Sequence, residues 1–347
     1  MFCCEECFSD NVLKAVIRTK GRIERCDFCG SESVCVYQLD EEEKELQNLL
    51  SSVLSLYDPS EEGSSLSAEL SRHWHIINSE KLDEKTTYDL LSAMYADPKE
   101  DYAAFVRLFQ SDSVRLKRET QYDWNAFANE LMCRNRFFAS FVDLEELLTL
   151  LSYAARSYER GTRFYRARIA NDENGFACCE MGAPPSGRTG GGRINPPGIS
   201  ELYLADDEDT ALHEIRAGMH DYVSFGEFEL TRDATVVDFS RIGSVSPFEL
   251  EDKDLETYAM NLDVLDGMKK EIAKPMRSSD NPLEYIPSQF ISELIKAGIN
   301  DAWHFDGVAY KSTLKPGGKN ICLFDESVCS CVGVYTERVT GVHYDKG

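Results

Sequence analysis

A chain of 347 residues has room for two domains, or for one large domain with an appendage. Its residues are 42% hydrophobic and 28% charged, an ordinary globular mix, and charges interrupt every apolar run short of the roughly 18 residues a membrane span needs. With 37 Lys and Arg against 61 Asp and Glu, the formal charge of -24 excludes nucleic-acid binding by bulk electrostatics, although a local basic pocket for one small anion remains compatible with it.

The start, Met1-Phe-Cys-Cys, carries neither the positive region nor the apolar stretch of a secretory signal, so a cytoplasmic protein with no membrane partner is expected. Six of the 12 cysteines fall within the first 35 residues, and in a reducing compartment this points to a metal rather than to disulfides. Residues 1–38 read as a small zinc-ribbon-like module. Cys4-x2-Cys7 and Cys26-x2-Cys29 offer two thiolate pairs, 18 residues apart, to one tetrahedral structural zinc. Cys3 is the alternative to Cys4, with a poorer spacing to Cys7. A short helix is expected between the pairs, from about Asp10 to Arg18, and a strand at Val34–Tyr37. Cys35 reads as a buried small residue. Cys329-x-Cys331 has no second pair, so a second metal is not expected.

Residues 39–160 read as a helical domain. Leu46, Leu49, Leu50 and Val53 follow helical spacing, as do Leu90, Leu91 and Met94. Asp58 to Ser65 reads as an exposed loop, Trp124 to Phe141 as a central helical stretch, and Asp143 to Tyr158 as an amphipathic helix capped by Asp143. At Gly161 the texture changes. Strands are expected at Thr162–Ile169, Leu202–Ala205, Phe225–Leu230, Thr235–Asp238, Phe305–Tyr310 and Lys319–Phe324, with a helix from Asp206 to about Ala217. The tail from Val332 is strand-like.

Four segments of this last part fit together chemically. Alternation along the first strand puts Arg166 and Arg168 on one face. In Gly190-Gly-Gly192-Arg193-Ile-Asn195, the glycines allow close backbone approach to a phosphate and Arg193 brings a planar fork of donors for pyrophosphate. Tyr203 is followed eleven residues later by Glu214 inside the helix. Ser312 lies two residues past Tyr310, with Asn320 shortly beyond. Tyr310 itself, at strand spacing, reads as core, and His213 as structural.

In order, Tyr165-Arg166, Gly192-Arg193-Ile-Asn195-Pro-Pro-Gly198, Leu202-Tyr203-Leu-Ala205, Thr210-Ala-Leu-His-Glu214 and Ser312 before Gly318-Lys-Asn320 resemble the RES family. The resemblance covers about residues 161–340, and the front half is similar to the HEPN-like extension of some RES proteins. It implies an α+β, ADP-ribosyltransferase-like mixed β core, behind the helical domain and the zinc module. It also implies NAD as substrate, cleaved at the nicotinamide–ribose bond by phosphorolysis or hydrolysis, often in a toxin restrained by an antitoxin. Arg166, Glu214 and Ser312 would carry the active site with Tyr203 beside them. Gly192, Arg193, Asn195, Arg168 and Asn320 would hold the dinucleotide or inorganic phosphate.

The chemistry suits these residue types. Cleavage develops oxocarbenium character at the ribose, which a carboxylate stabilises. Two features depart from the pattern. An acidic insert occupies Phe248 to Ser279, and Ser288 within Ile286-Pro-Ser-Gln rivals Ser312, which is preferred because Gly-x-Asn and a strand follow it. No Arg and His stand at the spacing of HEPN-type ribonucleases, so RNA cleavage is not expected. A protein ADP-ribosyltransferase on the same fold, or an inactive scaffold docked through its zinc module, would share these motifs.

Overall fold

The computed structural model describes residues 1–40, 44–96, 103–117, 123–137, 143–274, 281–298 and 303–341. Two compact units emerge: Met1–Gln121 with Gly243–Asp263, and Tyr122–Ile242 with Val264–Gly347. Among the described residues no helix is long and apolar enough to cross a membrane.

In the first unit, β1 (Phe2–Cys4), α1 (Asn11–Lys20), β2 (Arg22–Glu24) and β3 (Val34–Gln38) form a three-stranded antiparallel sheet, ordered β1-β3-β2, with one helix. The Asp10 carboxylate caps α1 by accepting from the amides of Val12 and Leu13, 2.8 and 3.0 Å away, and Leu13 and Ile17 turn inward. The sheet is joined to the chain beyond it: the Ser9 amide donates to the Ile76 carbonyl and the Asn78 amide to the Cys7 carbonyl. There follow α2 (Glu45–Leu54), β4 (Tyr57–Ser64), α3 (Leu66–Trp74), α4 (Glu84–Met94), α5 (Ala103–Gln110) and β5 (Val114–Leu116). Leu46, Leu50, Val53, Leu90, Leu91 and Met94 are buried, as their spacing requires.

The Asp58–Ser65 segment is not a free loop. It forms the arm β4, paired with β5 across an irregular register in which Pro59 and Ser64 both face Val114. The partner is three residues long and some fifty residues away, so local composition carries no trace of the pairing. Gly63 is required there, because a Cβ would stand 1.9 Å from the Val114 carbonyl oxygen.

In the second unit, α6 (Trp124–Cys133) and α7 (Leu144–Ser152) precede β6 (Ala155–Tyr158). The expected helix through Tyr158 therefore ends earlier. Its apolar stripe closes at Leu151, and the next residues pair antiparallel with β10 as an edge strand. Of the expected central stretch Trp124–Phe141, α6 buries Phe127, Ala128 and Leu131, while residues 138–141 lie outside the described residues. The chain continues through β7 (Arg163–Ala170), β8 (Leu202–Ala205), α8 (Glu208–Ile215), β9 (Tyr222–Leu230) and β10 (Ala234–Asp238). The expected insert supplies α9 (Asp252–Met260) and α10 (Leu262–Ala273), its residues 275–279 lying outside the described residues. The last elements are α11 (Ile286–Ala297), β11 (Gly307–Lys311), β12 (Lys319–Leu323) and β13 (Cys329–Arg338).

Eight strands make one mixed sheet ordered β13-β9-β7-β8-β12-β11-β10-β6, with β10 and β11 its parallel pair. β7 matches β9 over eight positions but meets β8 at one, Tyr165 with Ala205. Strand alternation fills both faces. Phe164, Leu202, Leu204, Phe228, Val236, Ala309, Ile321 and Leu323 form one core, and Ala167, Ala205, Val223 and Phe225 form another beneath Ala211 of α8. The architecture is α+β, as the motifs imply.

Candidate active site and metal centre

The register of β8, β12 and β11 decides what faces α8. Leu202, Leu204, Ile321 and Leu323 occupy the larger core, so their alternates stand on the other face. Tyr203 sits opposite Cys322, and Ala205, Asn320 and Tyr310 form a row across the three strands. α8 starts at Asp207, whose carboxylate accepts from the Thr210 amide and hydroxyl, 2.7 and 2.9 Å away, and it ends at Arg216 in the left-handed region. Glu214 therefore lies in the last turn, where the helix dipole disfavours a carboxylate. Two hydrogen bonds offset this. The Ser312 hydroxyl donates to Glu214 Oε1 at 2.6 Å, and the Asn320 amide donates to the same oxygen at 2.7 Å. Among the described residues, no hydrogen bond reaches Oε2.

Ser312 is itself fixed. Its Oγ accepts from the amides of Leu314 and Lys315 in the turn after β11, and its own amide donates to the Gly318 carbonyl. Ser288, the rival serine, is buried in α11 and donates to the Tyr285 carbonyl.

Glu214 lines two cavities. One, of about 260 Å³, is walled by Tyr165, Arg166, Tyr203, Tyr310 and Asn320 among others. The other, of about 310 Å³, shares Tyr203, Glu214, Tyr310 and Asn320 and adds Arg193, Arg216, Lys274 and Lys311. Arg166 pairs with Gly226 of β9 on the face of Phe164, and it is among the residues that line the first cavity. Its Nη1 is buried, and no described residue hydrogen-bonds it. Burial, then the neighbouring Arg168 cation, pulls its guanidinium down to about 10. A buried cationic donor left in this state costs free energy that an anionic ligand would recover. Burial likewise pushes the phenols of Tyr203 and Tyr310 well up, so both are neutral donors at ordinary pH.

The remaining sequence-selected residues lie off these walls. Arg168 donates to the Glu180 carbonyl and covers the Phe176 ring at 4.0 Å. Asn195 accepts from the Tyr203 hydroxyl at 2.6 Å and donates to the Ile199 carbonyl at 2.8 Å, stapling its loop behind Tyr203. Gly192 is needed in that staple, since a Cβ would come within 2.8 Å of Asn195 Oδ1 and 3.0 Å of the Tyr203 hydroxyl. Tyr310, expected in the core from its strand spacing, lines both cavities. Arg216 and Lys311, close in the chain to Glu214 and Ser312, line the second cavity and were not among the expected site residues. Lys274 had no local signal at all.

In the first unit, the thiols of Cys4, Cys7, Cys26 and Cys29 converge, with all four sulfurs within 4.8 Å of one another. Cys4 stands 3.8 Å from Cys7 and 3.4 Å from Cys29, and Cys7 stands 3.5 Å from Cys26. A tetrahedral ion with sulfurs at about 2.3 Å would space them by about 3.8 Å, so the set fits one such metal. Hydrogen bonds among the cluster lower the Cys26 thiol and raise those of Cys4 and Cys7, as expected of thiols close enough to share protons. Cys3 is buried opposite Tyr37 and Cys35 contacts the Ile17 carbonyl; neither belongs to the cluster.

A family model, RES domain, matches residues 163–344. No curated protein and no solved structure matches the chain.

Proposed function

The chain belongs to the RES domain family, and on that premise we propose that it consumes NAD, breaking the nicotinamide–ribose bond at the cleft around Glu214. The observation that carries this reading is one carboxylate, fixed through a single oxygen by Ser312 and Asn320, at the junction of two cavities with Arg166 on one wall and Arg193 on the other.

In the proposed reaction the C1′–N bond breaks and its electron pair returns to the pyridinium nitrogen, releasing neutral nicotinamide. Positive charge develops on the ribose, where Glu214 Oε2 stabilises it or holds a ribose hydroxyl. A phosphate oxygen or a water oxygen then bonds to C1′, and in the second case the water passes a proton to Glu214 Oε2 and from there to solvent. Arg166 and Arg193 supply donors to the pyrophosphate or to the incoming phosphate, and the neutral Tyr203 and Tyr310 shape the walls. An inhibitory partner protein would act by covering this cleft. The four cysteines are proposed to hold one structural zinc, whose role is to bind thiolates and fold the first unit.

The test is to incubate the full chain with NAD, in phosphate and in phosphate-free buffer, and to identify the products. ADP-ribose 1″-phosphate means phosphorolysis, free ADP-ribose means hydrolysis, and modified protein means ADP-ribosyl transfer. NAD left intact under both conditions, by folded protein, overturns the reading.

A further inference from the structure

The loop bearing Arg193 is braced less by the sheet than by the chain after β10. The Gln289 amide on α11 donates to the carbonyls of Gly192 and Asn195, at 2.7 and 3.3 Å. The ring of Tyr285 lies 4.8 Å beneath the Arg193 guanidinium. On α10, Glu271 accepts from Arg193 Nη1 at 3.1 Å, and both side chains are more than nine-tenths buried. The other Glu271 oxygen accepts from Lys274 Nζ at 2.5 Å.

Glu271 and the Tyr285 ring thus hold the Arg193 guanidinium from two directions. Arg193 lies on the wall of the second cavity, whose described lining includes Arg216, Lys274 and Lys311 and, among carboxylates, Glu214. In a chain of net charge -24, a cavity lined by four basic residues stands out as a place where an anion is favoured. Glu271 is not among the residues lining that cavity. It stands behind Arg193 and not in the place of an anion.

We infer that Glu271, supplied by the inserted helix α10, is a positioning residue that aims Arg193 at a phosphate group in the second cavity. Arg193 and Lys274 both contact its carboxylate, Arg193 through Oε1 and Lys274 through Oε2. The identity of the phosphate's owner rests on the NAD reading above, whereas the aiming of Arg193 does not.

Removing the Glu271 charge sets two effects against each other. Simple electrostatics would tighten an anion, while loss of aim would weaken it. Inorganic pyrophosphate is therefore titrated calorimetrically into the full chain, the E271Q, E271D and R193A variants and the E271Q/R193A double variant, with thermal melts as the check on folding. Expected is binding by the parent, weakening by about tenfold in E271Q, partial recovery in E271D, and less than about twofold further change when E271Q is added to R193A. If NAD is turned over, E271Q should raise KM by a similar factor and change kcat by less than about threefold. Tighter or unchanged binding in E271Q, additive losses in the double variant, or no pyrophosphate binding by the parent overturns the inference. An absence of NAD turnover with the pyrophosphate pattern intact removes the substrate and leaves the clamp.

Discussion

The cysteine cluster of the first unit and the Glu214 cleft of the second are both assembled from separated stretches, but by opposite means. The cluster draws four like atoms from two short turns, and nothing else in the unit needs to be placed to the ångström for them to meet. The cleft draws unlike groups from five elements, β7, β8, α8, β11 and β12, and each is placed by the packing of its neighbours. A metal held by such a cluster would be a cause of folding, since ligand binding contributes stability outright. The cleft is a product of folding and carries costs of its own: a carboxylate at a helix C-terminus and a buried arginine nitrogen that no described residue hydrogen-bonds.

That contrast can be broken or sharpened by substitution. The largest effect belongs to Cys26→Ser. A structural zinc of this class contributes on the order of 10 kcal/mol, so the variant should lose its metal and the ordered structure of the first unit. Metal analysis and circular dichroism read this directly, and one retained zinc with an unchanged melt would mean that the cluster is not the ligand set. Next comes Glu214→Gln, which keeps shape and hydrogen-bonding capacity but removes the charge. NAD loss should fall roughly a thousandfold, about 4 kcal/mol of transition-state stabilisation, with the melting temperature within a few degrees of the parent. Turnover at the parental rate would take Glu214 out of the reaction.

Ser312→Ala should cost less. It deletes one hydrogen bond to a charged acceptor, worth about 1.5–3 kcal/mol, so a ten- to hundredfold loss of rate is expected, while Ser288→Ala leaves the rate within about twofold. The reverse ranking would return the family serine to α11. The smallest effect is Arg168→Ala. Its guanidinium is engaged with Glu180 and Phe176, so the variant should lose about 1 kcal/mol of stability and leave the KM for NAD within about threefold. A tenfold rise in KM would bring Arg168 into the cleft after all.

How much of this was legible in the chain depended on how local the cause was. The CxxC pairs, the short helix after Asp10, the Asp143 cap and the strand at Leu202–Ala205 are set by residues within a few positions of one another, and the structure has them where the spacing puts them. Glu214 and Ser312 were legible only as members of an ordered series, 98 residues apart, and their hydrogen bond is a fact of tertiary packing. Arg168 illustrates the limit of alternation: it shares a face with Arg166, as expected, but the turn around Glu180 captures it first. Asn195 and Gly192 belong to the loop as architecture, holding Tyr203 from behind. β4 and β6 escaped notice because their partners, β5 and β10, lie dozens of residues away and impose a conformation that short polar segments do not announce. The contribution of α10 was invisible for the same reason. An acidic insert reads as solvated surface until Glu271 is seen beneath Arg193.

The single match between β7 and β8 gives the large sheet a seam. Three strands lie on one side of it and five on the other, and one rung, Tyr165 with Ala205, closes the gap between them. A seam of that kind yields before the cloth does. Widening it sacrifices a backbone bond or two, at about 1 kcal/mol each, and leaves every longer ladder fastened.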